Sequence, residues 1–390
     1  MTCDTPTIRV PNLESKRLRN RLRGNCFSGS DLVCFCLIEP RSKQRSGSRG
    51  STVVTMADVA RLADVSESTV SHVLNETRIV RTTTAERVNQ AIRTLGYSPN
   101  TIARSLARSS TMSIGVALSD IANHYFSGIV HGIESATSAQ GYMLLLANTH
   151  DDATEELRVV RELQQRRVDG VILSVSGGAP NPALSHLMAS DVPVVIIDRL
   201  IDAPVDQVGL ENKRAAAELV GHLVQLGHRR IGFLSGLAQL STSQERLLGY
   251  RAAMRRAGLT LDPALERAGN SRSEEARLAT HQLLAMQDPP TAIIGGNNLM
   301  TLGAMRALSE RSLRVPLDMA VVSFDDFEWA DLFSPRLTTM AQPAEEIGRR
   351  AVDLLVQRIN EPGHPPRVVR MRGQLRVRES CGTGLPQPQR

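Results

Sequence analysis

Glu67, Ser68, Ser71 and His72 fall on one side of a short segment whose apolar residues, Val70, Val73 and Leu74, recur at helical spacing. Short polar side chains on an exposed helix face can reach phosphate oxygens and base edges without clashing, which is chemistry suited to a nucleic-acid groove. Other chemistries have weaker support. The sequence contains no Gly-x-Ser-x-Gly elbow, no His-Glu-x-x-His pair and no phosphate-binding P-loop. His222 and His228 lack partners at catalytic spacing and read as surface or helix-end residues. Cys34-Phe35-Cys36 has no second ligand pair at zinc-finger spacing, so neither a metal site nor a cofactor is expected. No cysteine lies between Cys36 and Cys381, so no disulfide staples the intervening chain, and Cys381 itself reads as part of a tail.

The polar face needs elements to hold it. Thr55-Met56-Ala57-Asp58 is a capping box that opens a first helix with Val59, Ala60, Leu62 and Ala63 on its apolar side, and Asp64-Val65 makes a turn. Ser66 is placed to cap the second helix. A third begins near Thr83, carries Val88, Ala91, Ile92 and Leu95 as a stripe, and stops at Gly96. Two short helices joined by a tight turn, with small residues at Ala60 and Ala63 permitting close approach, have the layout of a helix-turn-helix over residues 53–98. Residues 99–110 form a further potential helix, too short to be stable alone, which suits a segment that folds on binding. Residues 1–52 lack sustained periodicity and are expected to be a disordered basic extension.

At 390 residues and 41% apolar content the chain can build two or three domains with a sizeable core. Residues 1–110 hold 17 Lys+Arg against 9 Asp+Glu, whereas residues 111–390 hold 29 against 31. The basic excess lies at the N-terminal end, which suggests a polyanion-binding end on a near-neutral body. No window approaches the roughly 18 apolar residues of a membrane span, and no secretory signal is evident, so a cytoplasmic protein without membrane contact is expected. From residue 112 short β-branched runs alternate with helical patterns. Strands are expected at Ser113–Leu118, Tyr142–Ala147, Gly170–Ser174, Val192–Asp198, Arg230–Ser235, Ala292–Gly295 and Ala320–Asp325. Such alternation implies α/β architecture, with parallel sheets in two open lobes and a cleft at the strands' C-terminal ends.

Together these features resemble the LacI/GalR family of bacterial transcriptional regulators, the lactose-repressor and purine-repressor type. The matching text is Val-Thr-Met-Ala-Asp-Val-Ala at 54–60, Val-Ser at 65–66, Thr-Val-Ser at 69–71, Asn75 followed by Val80, and Tyr-Ser-Pro-Asn-Thr-Ile-Ala-Arg-Ser-Leu at 97–106. It continues at 165–170, at Leu-Gly-His-Arg-Arg-Ile-Gly over 226–232, at 321–335, at Leu337-Thr338-Thr339 and at Gln342-Pro343, so it covers residues 53–380. The resemblance implies a helix-turn-helix headpiece, a hinge helix that forms on operator DNA, and a two-lobed core like periplasmic binding proteins at 111–380. The N-lobe is expected at about 111–210 and 340–366, the C-lobe at about 211–337 and 367–380, and a tail at 381–390.

Carried over position by position, the resemblance implies base-reading roles for Met56, Glu67, Ser68 and His72. It implies phosphate-facing roles for Thr55, Ser66, Ser71, Asn75, Tyr97 and Asn100. Leu106 corresponds to a wedge entering the minor groove, with Ala103 and Ala107 letting paired hinge helices approach. Ser119, Tyr125, Phe126, Ser174, Asp198, Arg246, Asn297, Asp325 and Gln342 correspond to effector contacts. Arg246 and Asp325 could fork onto adjacent hydroxyls while Tyr125 and Trp329 offer flat apolar faces, features of a polyol site, although Asp198 and Arg199 could equally pair with each other. Asn297-Asn298 departs from the family's frequent Asn-Asp, removing a carboxylate from a helix start. A homodimer is expected, since no leucine-heptad helix follows residue 380. The function implied is sequence-specific repression at a pseudo-palindromic operator, controlled by a small effector, a sugar or sugar derivative. The alternative is a sugar-binding transport receptor; an enzyme is not expected.

Overall fold

A computed structural model of the chain describes residues 54–75, 77–98, 110–177 and 180–384. The chain divides into two compact units after Tyr97.

The first unit is a three-helix cluster: α1 (Met56–Ala63), α2 (Glu67–Asn75) and α3 (Thr82–Leu95). The capping box forms as the sequence predicts, with the Asp58 amide donating to Thr55 Oγ1 at 3.3 Å and the Thr55 amide donating to Asp58 Oδ2 at 3.0 Å. Asp64 (φ 52°) ends α1 and Gly96 (φ 61°) ends α3 in the left-handed region, each returning its amide to the last turn. Ser66 Oγ accepts the Thr69 amide at 3.2 Å and so caps α2. Val59, Ala60, Ala63, Val70, Val88 and Ala91 form the core. It is small, and three of its six members are alanines, which is what lets the helices pack closely.

The second unit carries two six-stranded sheets. The first sheet has the order β11-β5-β4-β3-β1-β2 and is parallel throughout, from β1 (Ser113–Leu118), β2 (Met143–Asn148), β3 (Gly170–Leu173), β4 (Val194–Ile197), β5 (Asp206–Leu210) and β11 (Val368–Met371). The second has the order β12-β10-β9-β8-β6-β7, from β6 (Ile231–Ser235), β7 (Glu266–Ala268), β8 (Ala292–Gly295), β9 (Ala320–Phe324), β10 (Thr338–Ala341) and β12 (Gln374–Arg376). In it only the β10–β12 pair is antiparallel.

Helices cover both faces of each sheet, so the central strands are buried on both sides and read as nearly continuous apolar runs. On the first sheet α4 (His124–Ala139) and α11 (Ala344–Asn360) pack one face, α5 (Ala153–Gln165) and α6 (Pro182–Ala189) the other. On the second, α7 (Asn212–Gln225) and α8 (Ser241–Arg256) oppose α9 (Ser273–Leu284) and α10 (Asn298–Glu310). Glycines permit the closest helix contacts: a Cβ on Gly132 would lie 2.1 Å from the Glu345 carbonyl oxygen, and one on Gly348 2.3 Å from that of Ile129.

The chain passes between sheets after β5, after β10 and after β11, and these crossings correct the expected lobe boundaries. Residues 338–341 all belong to the C-lobe sheet, so 340–341 are not N-lobe, while 368–371 pair with β5 in the N-lobe sheet rather than lying in the C-lobe. Cys381 is no tail residue either. It is fully buried in the C-lobe core beside Leu219, Leu223 and Ala320, because Ser380 Oγ donates to the Val321 carbonyl at 2.7 Å and pins the segment across β9. Among the described residues no helix is long and apolar enough to cross a membrane.

Candidate functional site

The α2 face is built as the residue spacing predicts. Glu67 and Ser68 are exposed, and Ser71 and His72 half-exposed. Local bonds arrange the face: Ser66 Oγ lies 2.8 Å from Ser68 Oγ and 2.9 Å from Thr69 Oγ1, and Asn75 Nδ2 donates to the Ser71 carbonyl at 3.0 Å and to Ser71 Oγ at 3.2 Å. His72 Nδ1 meets Thr77 Oγ1 at 2.9 Å, a contact the sequence reading did not anticipate. Thr55 is exposed but engaged with Asp58, and Met56 and Tyr97 pack at the edge of the headpiece core. Asn100, Ala103, Leu106 and Ala107 lie outside the described residues. Residues 54–98 carry five arginines and five acidic residues, so the basic excess of the N-terminal end does not reside in this helical cluster but in the flanking stretches.

The second site lies where the strands of both sheets end. Ser119 follows β1, Asp198 follows β4, Asn297 lies two residues past β8, Asp325 follows β9 and Gln342 follows β10. With Tyr125 and Phe126 from the first turn of α4, and Arg246 from α8, they line one cavity between the lobes. Asp198 (φ 64°) and Asp325 (φ 68°) both adopt the left-handed conformation directly after a strand, which turns each carboxylate out of its sheet toward the cleft.

Buried polar chemistry dominates the lining. Tyr125 Oη donates to Asp198 Oδ1 at 2.9 Å, and burial together with the Asp198 and Asp325 charges pushes the phenol well above its usual range, so it stays a donor. Gln342 Nε2 donates to Asp325 Oδ1 at 2.6 Å and the Asn298 amide to Oδ2 at 3.3 Å. Burial raises the Asp325 carboxyl, a rise that the neighbouring Arg246 guanidinium opposes. Arg246 donates from Nε to Asn212 Oδ1 at 2.7 Å and from Nη1 to the Gly296 carbonyl at 2.6 Å, and its guanidinium carbon stands 4.2 Å from the Phe324 ring centre. Ser119 Oγ, fully buried on the cavity wall, has no protein partner, and neither has Gln342 Oε1.

The cavity measures about 60 Å³, far below the roughly 300 Å³ at which ligand pockets begin. Little free space is left at the site between the lobes.

Two expected contacts lie elsewhere. Ser174 directly follows β3 and its amide donates to the Ala117 carbonyl at 2.9 Å, but it does not line the cavity. Trp329 stacks with Phe333 and Phe327 and meets His124 edge-on at 6.5 Å, outside the cavity wall. Arg199 does pair with Asp198, at 3.6 Å, and it also pairs with Asp151 and donates to the Val175 carbonyl at 2.9 Å. The histidines read as surface or helix-end residues lie at a helix end, His222 in the last turn of α7 and His228 three residues past it, and both are engaged. His222 Nε2 lies 3.2 Å from Cys381 Sγ, and half-buried His228 meets Thr291 Oγ1 at 2.9 Å. Asp120, Asn123, Thr242, Ser243 and Ser271 also line the cavity; each sits in a loop or first helical turn beyond a strand, the positional signal that could have found them.

Residues 111–379 match the family of periplasmic binding proteins and sugar binding domain of LacI family, and residues 55–100 match the bacterial regulatory proteins of the lacI family. The chain is 36% identical over 331 residues to the HTH-type transcriptional repressor PurR of Photobacterium profundum, covering 84% of this chain and 98% of that protein. To the PurR of Vibrio atlanticus it is 35% identical over 332 residues, 85% and 99% of the two chains. Among solved structures it is similar to the Lac repressor dimer bound to operator and the anti-inducer ONPF (TM-score 0.76, 30% identity, 84% of this chain and 99% of that one). It is also similar to a transcriptional regulator CelR–cellobiose complex (TM-score 0.65, 33% identity, 84% and 99%).

Proposed function

The chain belongs to the LacI family of bacterial regulatory proteins, and on that premise we propose how its two sites serve a ligand-regulated transcriptional repressor. Repression, and not transport, is the function: the relatives matched along nearly their whole length are repressors, and the helix-turn-helix is present. The protein works in the cytoplasm, as a homodimer whose headpieces bind the two halves of a pseudo-palindromic operator, and it catalyses no reaction. Met56, Glu67, Ser68 and His72 read bases, with Glu67 accepting from a cytosine amine rather than facing the backbone. Thr55, Ser66, Ser71, Asn75, Tyr97 and Asn100 meet phosphates. Residues 99–110 order as a hinge helix on DNA, Ala103 and Ala107 allow the pair to approach, and Leu106 wedges into the minor groove.

The effector is a small carbohydrate. Support comes from one observation above all: carboxylates, a forked guanidinium, an amide and an unpartnered hydroxyl from both lobes converge on one cavity. Asp198, Asp325 and Gln342 offer acceptors and Arg246 donors of the kind that hydroxyl groups pair with. Effector binding and lobe position are linked, and moving the operator equilibrium from 99:1 to 1:99 takes roughly 5.5 kcal/mol of differential binding, about half from each of two clefts. The test is a gel shift of the full chain on the DNA flanking its gene, with and without a panel of sugars. A specific complex whose affinity one sugar changes supports the reading. Salt-independent or sequence-indifferent binding that no sugar alters refutes it.

A further inference from the structure

The cleft is bridged by two asparagines. Asn298 Nδ2, at the start of α10 in the C-lobe, donates to Asn123 Oδ1, the cap of α4 in the N-lobe, at 2.9 Å. Both side chains are buried, 7% and 9% exposed. Their orientations are doubly determined. Asn123 Oδ1 also accepts the Tyr125 amide at 3.1 Å, and Asn298 Oδ1 accepts the Leu299 amide at 2.8 Å. Each carbonyl oxygen is thus committed to its own helix start, which leaves the Asn298 amide hydrogens facing the Asn123 oxygen. Another polar inter-lobe side-chain pairing, Arg370 with Glu245 at 2.9 Å, is exposed and lies beside the chain crossing at Met371. A contact at the crossing hardly resists rotation about it, whereas one across the cleft does.

We propose that Asn123 and Asn298 form a latch between the lobes that favours closure of the cleft, and that the lobes separate only when this hydrogen bond parts. The proposal rests on reading the cleft as the effector site. Adjacent contacts fit it: Tyr125 and Phe126, two and three residues past Asn123, line the cavity, as does Leu299 next to Asn298. Opening the bond therefore moves the residues that would touch the ligand.

The chain offers a built-in reporter. Its single tryptophan, Trp329 in the C-lobe, meets His124 of the N-lobe edge-on, one residue from Asn123. Asn123→Ser keeps an oxygen to cap α4 but is too short to reach Asn298, and Asn298→Ala removes the donor. Tryptophan emission and hydrogen exchange at residues 119–126 and 296–300 are measured on the full chain without DNA or sugar, so the outcome is independent of the operator and effector readings. Each single variant is expected to shift Trp329 emission and speed exchange at those amides about fivefold, the effect of one net hydrogen bond. The double variant is expected to open no further than the more open single one. Unchanged emission and exchange in both single variants, or additive effects in the double, would overturn the latch. The two variants act from opposite lobes, so a folding defect in one leaves the other decisive.

Discussion

Replacing Arg246 with lysine keeps the positive charge beside Asp325 but not the fork that the cleft floor is built around. Arg246 is 7% exposed, and its guanidinium holds Asn212 Oδ1, the Gly296 carbonyl and the Phe324 face together. A lysine ammonium reaches one of the two acceptors. The other loses a charge-assisted bond worth about 1.5–3 kcal/mol, and the flat guanidinium over Phe324 contributes a further ~0.5–2 kcal/mol, part of which a lysine retains. We expect Arg246→Lys to destabilise the core by about 3 kcal/mol, or roughly 6–12 °C in thermal unfolding, while abolishing the sugar response and preserving operator binding. Arg246→Ala adds a pH signature. Without the guanidinium, the Asp325 carboxyl, already raised by burial, rises further above its unfolded value. A raised folded pKa contributes stability at low pH that is lost as pH climbs through it, so the deficit of Arg246→Ala relative to wild type should shrink toward acid. Differential scanning calorimetry between pH 5 and 8 checks both. A lysine variant that melts with wild type, or an alanine variant whose deficit grows in acid, would refute the reasoning.

Other perturbations probe the scaffold. Gly348→Ala should cost about 1–3 kcal/mol because its Cβ would press within 2.3 Å of the Ile129 carbonyl, whereas Gly221→Ala in α7, with nothing within 4 Å, should gain up to about 1 kcal/mol; urea unfolding separates them. Burial raises the Cys381 thiol, but bonds from His222, Thr338 and Thr383 outweigh it and bring it from 9.0 down to about 7. That stabilisation is complete above pH 9 and lost as pH falls through 7, so the stability gap between wild type and Cys381→Ser should widen by on the order of 2 kcal/mol from pH 7 to 9. Leu106→Ala should weaken operator binding far more than nonspecific binding in anisotropy titrations; equal losses would remove the wedge.

Where a local pattern suffices, the sequence was legible. Capping residues at Thr55 and the stripe ending at Gly96 mark the headpiece, and β-branched runs mark the strands from β1 to β4. The strand β5 escaped notice because it carries Asp206 and Gln207 in a buried setting. Asp206 is fully buried and survives there through Arg358 at 2.8 Å, a long-range contact no hydropathy pattern reveals. β7, β10, β11 and β12 were missed with it, and since the last three alternate between sheets at the crossings, the lobe boundaries moved. Cys381 and His222 looked idle because their partnership spans 159 residues. The charge asymmetry was real but misleading in position, as the headpiece helices themselves are balanced. In the cleft, eight of the nine residues implied by the resemblance line the cavity, whereas Ser174, directly after β3, does not. The departure at Asn298, legible only as a missing carboxylate, is explained by its donor role toward Asn123.

The central claim, that occupancy of the cleft sets the grip on DNA, is tested most directly by operator affinity of the full chain at fixed salt, with and without a saturating sugar shown calorimetrically to bind. Wild type should change affinity by roughly 100-fold or more, the scale of a coupling of about 3 kcal/mol, while Asp325→Ala, deprived of the cleft carboxylate, should bind operator equally well in both conditions. A sugar that binds the wild-type cleft yet leaves operator affinity unchanged would contradict the account.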